Sequence, residues 1–240
     1  TGKDLTFIGV SDNNDVIIDG QGISIGDVID ASNANIGVEN LTLQNGTHGL
    51  EASNCDRISL EDVIFKSNNY SLSVIDGSGY TIIDSCVFET NNYGPYLYES
   101  DSLLLTNTAL NNHTNHGISL NETIAKIENT TFHGNARAIQ FHSETNDSLD
   151  LNGVLIDSST YYGLWIGSSN NDQIRVNISN SVFKNNSTQS QGAAIWTKKN
   201  TLKVTDTQFI NNDSYEKGSI YIDEDGAEVS FTDCLFKDNY

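Results

Sequence analysis

Between residues 99 and 144 the chain gathers side chains suited to acid/base work: Glu99, Asp101, His116, Glu122, Arg137, His142 and Glu144. If equivalent outward positions on neighbouring strands bring them together, carboxylate and imidazole supply the proton donor and acceptor that glycosidic cleavage requires. Arg137 would then hold the acid group of a uronic-acid sugar. In that reading Arg137, His142, Glu144 and Glu122 are the catalytic set of a lyase or hydrolase acting on an acidic polysaccharide. The same charges also arise by chance at polar positions flanking an inward Ile139 and Phe141. Short, uniform connections leave no long loops to wall a cleft. The chain is therefore read as a non-enzyme, with no catalytic residue assigned.

Aromatic residues give a second chemistry. With Gly94, Gly117 and Gly163 taken as equivalent, Tyr96, Ser119 and Trp165 point outward, and Trp196 and Tyr221 continue the row. Exposed rings along a sheet can stack on sugar rings or anchor a protein partner, so Tyr96, Trp165, Trp196 and Tyr221 are the binding candidates. Metal chemistry is not expected. The stretch DEDG from Asp223 to Gly226 offers oxygens that Ca²⁺ takes, without the spacing of a dedicated loop. The five His residues lack zinc spacing, although His113 and His116 are three apart. No cofactor is expected.

The elements that position these groups are legible from repetition. Large apolar anchors recur at Leu43, Phe65, Phe88, Leu110, Phe132, Ile156, Phe183, Phe209 and Phe236, at intervals of 22 to 27 residues. Five and seven residues before each anchor the chain is again almost always apolar, as at Val38 and Ile36 or Val204 and Leu202. Period-two alternation of this kind is a strand with one buried face. Three before each anchor stands Asn40, Asp62, Ser85, Asn107, Asn129, Gly153, Asn180, Asp206 or Asp233, types that tolerate a left-handed bend. Asn recurs three after the anchor, at 68, 91, 135, 186, 212 and 239, and is read as the next bend. A second strand follows, with inward pairs such as Leu72/Val74 and Ile139/Phe141. Pro95 leaves the register near residues 91–99 open.

Short strands, polar corners and no helical period exclude a βαβ sheet. A repeat of this length coils into a solenoid. The fold expected is all-β, a right-handed parallel β-helix of nine to ten rungs, about 45 Å long at about 4.8 Å per rung. The repeated FKSN, FETN, FHGN, FKNN, FINN and FKDN, with GAAI and GSIYI, resemble the repeats of chlamydial polymorphic membrane proteins and of adhesin-like surface proteins of methanogenic archaea. The opening LTFIGVSDNNDVIIDGQG is similar to the first turns of pectate-lyase-like β-helices. The resemblance implies a surface adhesin that meets a glycan or protein of another cell.

Composition agrees with such a setting. The formal charge of −20 excludes a nucleic-acid partner, and no apolar run approaches a membrane span. Cys86 and Cys234 share a core position six rungs apart, too far for a disulfide, and Cys55 sits at a turn. Recurrent Asn-x-Ser/Thr sequons, such as those at Asn45 and Asn69, suit a secreted chain. Residues 1–240 are expected to be one monomeric module of a longer extracellular, cell-surface protein. A purely structural stalk is the third reading, after adhesin and carbohydrate-active enzyme.

Overall fold

The computed structural model describes residues 3–10, 16–144, 147–167, 174–198, 201–223 and 227–240. Its strands form three long parallel sheets of ten, ten and nine strands and a small parallel pair, Ser187–Thr188 with Asp213–Ser214, each strand pairing with the equivalent one a rung away. Sheet 1 holds the strands five to seven before the anchors, for example Arg57–Glu61 against Tyr80–Asp84. Sheet 2 holds the anchors, as in Ile64–Lys66 against Val87–Glu89, with Phe65 opposite Phe88. Sheet 3 holds the second strand read from the sequence, from Ile29–Ser32 to Ile220–Asp223. No helix long and apolar enough to cross a membrane occurs among the described residues.

Alternation drives the packing. In Arg57–Glu61, Ile58 and Leu60 are buried while Arg57 and Glu61 are exposed. The anchors stack on one another inside, Phe65 on Phe88 at 4.7 Å and Phe183 on Phe209 at 5.2 Å. Fully burying each such ring contributes about 1.5–3 kcal/mol. Phe236 occupies the same column but is 49% exposed, because its rung has a neighbour on one side only.

Every residue three before an anchor does adopt the left-handed conformation, from Asp206 and Asn129 (φ 48) to Gly153 (φ 66). A second left-handed corner lies two residues after the anchor, as at Asn45, Ser67, Asn185 and Asn211. The Asn three after the anchor is therefore not the bend: it points inward. Asn68, Asn91, Asn135, Asn186 and Asn212 are buried in one column. Each bonds backbone groups of the preceding rung. Asn186 Oδ1 accepts from Ser159 N–H (2.9 Å) and its Nδ2 donates to Ile156 C=O (3.2 Å) and Asn212 Oδ1 (2.9 Å). A bend two residues after the anchor leaves backbone groups that the sheets do not pair, and this ladder satisfies them.

His113 fills the same column where Leu110 is the anchor. Its Nδ1–H donates to Asn91 C=O (3.2 Å) and burial pushes its pKa down to about 4. The cysteines are free. Cys86 stands in a column with Thr108, Thr130 and Thr207, whose hydroxyls donate to the carbonyl two residues back. The Cys86 thiol does the same, to Asp84 C=O (3.2 Å).

Candidate functional site

The outer face of sheet 3 differs from the rest of the surface. Tyr70–Ile75, Tyr96–Tyr98, His116–Asn121, Arg137–His142, Tyr162–Gly167 and Ile195–Lys198 lie side by side in it and contain no Asp or Glu. The chain as a whole carries 32 of them. A neutral to cationic strip thus runs across consecutive rungs of a polyanionic rod.

Two rows of rings line the strip and run past its ends, to His48 on a strand that carries Glu51 and to Tyr221 on a strand that carries Asp223. At its leading edge His48, Tyr70, Tyr93 and His116 succeed one another at 5.2, 4.5 and 5.9 Å between centroids. Arg137 continues the row: its Nη1 donates to His116 Nε2 (3.2 Å) and its guanidinium lies 4.7 Å from the Tyr161 ring centroid. Burial, and then the Arg137 charge, push the His116 pKa down to about 4, so the imidazole is neutral and accepts. Burial also raises the Tyr70 and Tyr96 phenols, which remain donors at neutral pH.

Along the middle of the strip the register runs Tyr96, Ser119, Gln140, Trp165, Trp196, Tyr221. The four residues singled out from the sequence therefore share one column, but not one contact group. Trp165 and Trp196 stack at 5.3 Å and 8°, and Tyr221 follows, its hydroxyl bonded to Asp223 and its ring covered by Lys217. Tyr96 is separated from Trp165 by Ser119 and Gln140 and neighbours Tyr70 and Tyr98 instead. The Trp165 ring folds over Gly167 and leaves no room there for a Cβ. The expected mode of contact is thereby corrected. Trp165 and Trp196 turn faces toward each other, Lys217 covers the Tyr221 ring, and all four rings are partly buried rather than laid open to solvent. Sheet pairing brings equivalent rings into stacking distance, since rungs repeat at about the thickness of a stacked pair.

The acid/base candidates fall into two groups. Arg137 opens its strand beside His116 and Tyr161, whereas His142 closes it, about 16 Å away at the rise of an extended chain. Arg137 does not join His142, Glu144 and Glu122, so the four-residue set is not one site. The second group lines a cleft of ≈ 350 Å³ with Tyr98, Glu99 and Asn121. There Glu122 Oε1 accepts from the Glu144 amide (2.6 Å), and His142 Nε2 lies 4.0 Å from Glu144 Oε1. Glu99 and Glu122 both occupy left-handed corners (φ 51 and 50), where Asn33 and Asn54 stand in earlier rungs. A hydrogen bond with Glu99 and the charges of Glu99 and Glu122 raise the Tyr98 phenol. Of the DEDG stretch, residues 224–226 lie outside the described residues.

Tyr70, Tyr93, His48 and Gln140 escaped the sequence reading. Their signal was available: His48, Tyr70, Tyr93 and His116 follow at separations of 22, 23 and 23 residues, the period of the rungs.

Three parallel sheets stacked rung on rung define a right-handed parallel β-helix. The family model described as the right-handed beta helix region matches residues 21–178, and the chain belongs to that family. No curated protein sequence matches it. Among solved structures, the catalytic domain of a GH87 alpha-1,3-glucanase in complex with nigerose is similar at TM-score 0.51 and 12% identity, over 96% of this chain. The D1069A form of that domain with nigerose gives the same values. The chain spans 62% of the length of those domains. The likeness is one of fold, which enzymes and non-enzymes share.

Proposed function

We propose that this chain is a non-catalytic module that binds a neutral glycan along the outer face of sheet 3, outside the cell and at its surface. The observation that carries the reading is the ring-lined run of six sheet 3 strands, from Tyr70–Ile75 to Ile195–Lys198, that carry no Asp or Glu on a chain of net charge −20, with Glu51 and Asp223 only on the strands that flank them. Polyanionic ligands are repelled by the flanks, so a neutral polysaccharide is favoured over the acidic one first considered. Ring edges supply apolar contact, while Tyr, Trp, Gln140 and Asn121 offer donors and acceptors to sugar hydroxyls.

A glycan array tests this, run beside an assay for released reducing ends. Neutral polysaccharide is expected to bind without turnover, and Trp165→Ala/Trp196→Ala to weaken it about tenfold or more. Unchanged binding by that variant, or binding of polyanions alone, would defeat the proposal.

A second reading has its own support, the cleft where Glu99 and Glu122 hold left-handed conformations, a kind of strain that gathers at functional sites. A polysaccharide hydrolase using Glu122 or Glu144 would release reducing ends, and Glu122→Gln would stop it. The similar glucanase domains lend this reading the precedent of glycan hydrolysis on the same fold.

A further inference from the structure

We infer that Asp27, His48 and Glu51 form a binding site for a divalent transition-metal cation at the first rungs of sheet 3. Asp27 Oδ1 and Glu51 Oε2 stand 2.7 and 2.8 Å from the same atom, Nδ1 of His48. That nitrogen carries one proton at most, so as a hydrogen-bond donor it serves one carboxylate well and the other poorly. With Nδ1 deprotonated, the three atoms form a convergent N,O,O set, all within 4.8 Å of one another.

The surroundings hold this set in place. The His48 amide donates to Asp27 Oδ1 (3.1 Å), and Val28 N–H donates to His48 C=O (2.8 Å), tying the two rungs together beside the carboxylate. The His48 ring is packed against Tyr70 at 5.2 Å, which limits its rotation. All three side chains are only partly exposed, at 19 to 27%.

Geometry and donor type narrow the ion. Donors on one face of an octahedron lie about 3.0 Å apart when each bond is about 2.1 Å. Tetrahedral donors at that bond length lie about 3.4 Å apart. The two N···O edges of 2.7 and 2.8 Å are nearer the octahedral value, and three protein donors leave the remaining positions to water or to a ligand hydroxyl. Two carboxylates neutralise a doubly charged cation. The imidazole favours Zn²⁺, Co²⁺ or Ni²⁺ over Ca²⁺, so the expectation of no metal made from sequence spacing is revised here by proposal. Spacing alone hid the set because Asp27 lies one rung before His48, a separation of 21 residues. The inference does not rest on glycan binding.

The test is titration of the chelator-treated chain with CoCl₂ and with ZnCl₂, followed by calorimetry and by the visible spectrum of Co²⁺. One equivalent is expected to bind. Affinity should fall tenfold or more in His48→Gln and in Asp27→Asn, which changes one atom at a partly exposed position. His133→Gln, in the separate His133–Asp157 pair, should titrate like the parent chain. Circular dichroism of each variant separates loss of the site from loss of fold. Absence of a one-equivalent phase in the parent chain, unchanged titration in His48→Gln, or a loss that follows His133 instead, would each overturn the assignment.

Discussion

Asn186→Ala removes one member of the buried ladder and reads directly on what holds the rungs together. The side chain is fully buried, accepts from Ser159 N–H and donates to Ile156 C=O and Asn212 Oδ1. Truncation leaves the Ser159 amide and the Ile156 carbonyl without that partner, and each buried, unsatisfied group costs about 1–3 kcal/mol. Allowing for partial relaxation, the expected loss is about 3 kcal/mol, which for a chain of this length lowers Tm by about 6–12 °C. Asn177 serves as the control. It bonds Asp150 on the exposed face of sheet 1, and its alanine variant should stay within about 0.5 kcal/mol. Thermal melts give the magnitude. Hydrogen exchange gives the location, with the Ser159 amide losing protection before amides four or more rungs away, since rungs contact only their neighbours. If Asn186→Ala melts with Asn177→Ala, or protection at Ser159 is unchanged, the ladder is not what stabilises this corner.

Three further outcomes follow from the same structure. His113 titrates near 6.5 unfolded and at about 4 folded, so below pH 6.5 the unfolded chain binds more protons and stability falls until about pH 4. His116 moves in the same direction, so His113→Asn should remove about half of a slope of about 1.4 kcal/mol per pH unit for each group, read from Tm against pH. Burial pushes the Cys86 thiol up to about 12, so a thiol reagent should modify the partly exposed Cys234 in the native chain and reach Cys86 only on unfolding. Thr90 holds a left-handed corner (φ 55) that costs a β-branched residue about 1 kcal/mol, so Thr90→Asn should raise Tm by about 2–4 °C in a melt.

The first corner and the core columns were legible because each depends on one residue type at one offset. Asn, Asp, Ser or Gly three before the anchor is what a left-handed backbone tolerates, and alternation fixes which side chains turn inward. The second corner was misplaced by one residue for the same reason. Asn211 bends the chain and Asn212 bonds its interior, and a pair of identical letters does not say which does which. His113 was the clue, an imidazole at a position where six of the other rungs carry Asn and two carry the small residues Gly46 and Ser159.

The candidate site was legible in part. Trp165, Trp196 and Tyr221 share the column that the rung period gave them, but the stacking of the two Trp rings was not foreseen, nor was the row of His48, Tyr70, Tyr93 and His116 at the start of this side of the rung. A period identifies equivalent positions without giving the torsion of a ring, and that torsion decides whether a face meets solvent or a neighbour.

By itself the sequence determined the rung, its first corner and its inward faces, because these are set within about 25 residues by alternation and backbone tolerance. Only the tertiary structure decided which outward groups meet. Six extended residues hold Arg137 away from His142 although both were candidates for one site. Stacking of rungs brings Asp27 beside His48 across 21 residues of chain. Contacts along a strand are set by its rise and contacts across strands by register, and only the folded solenoid combines the two.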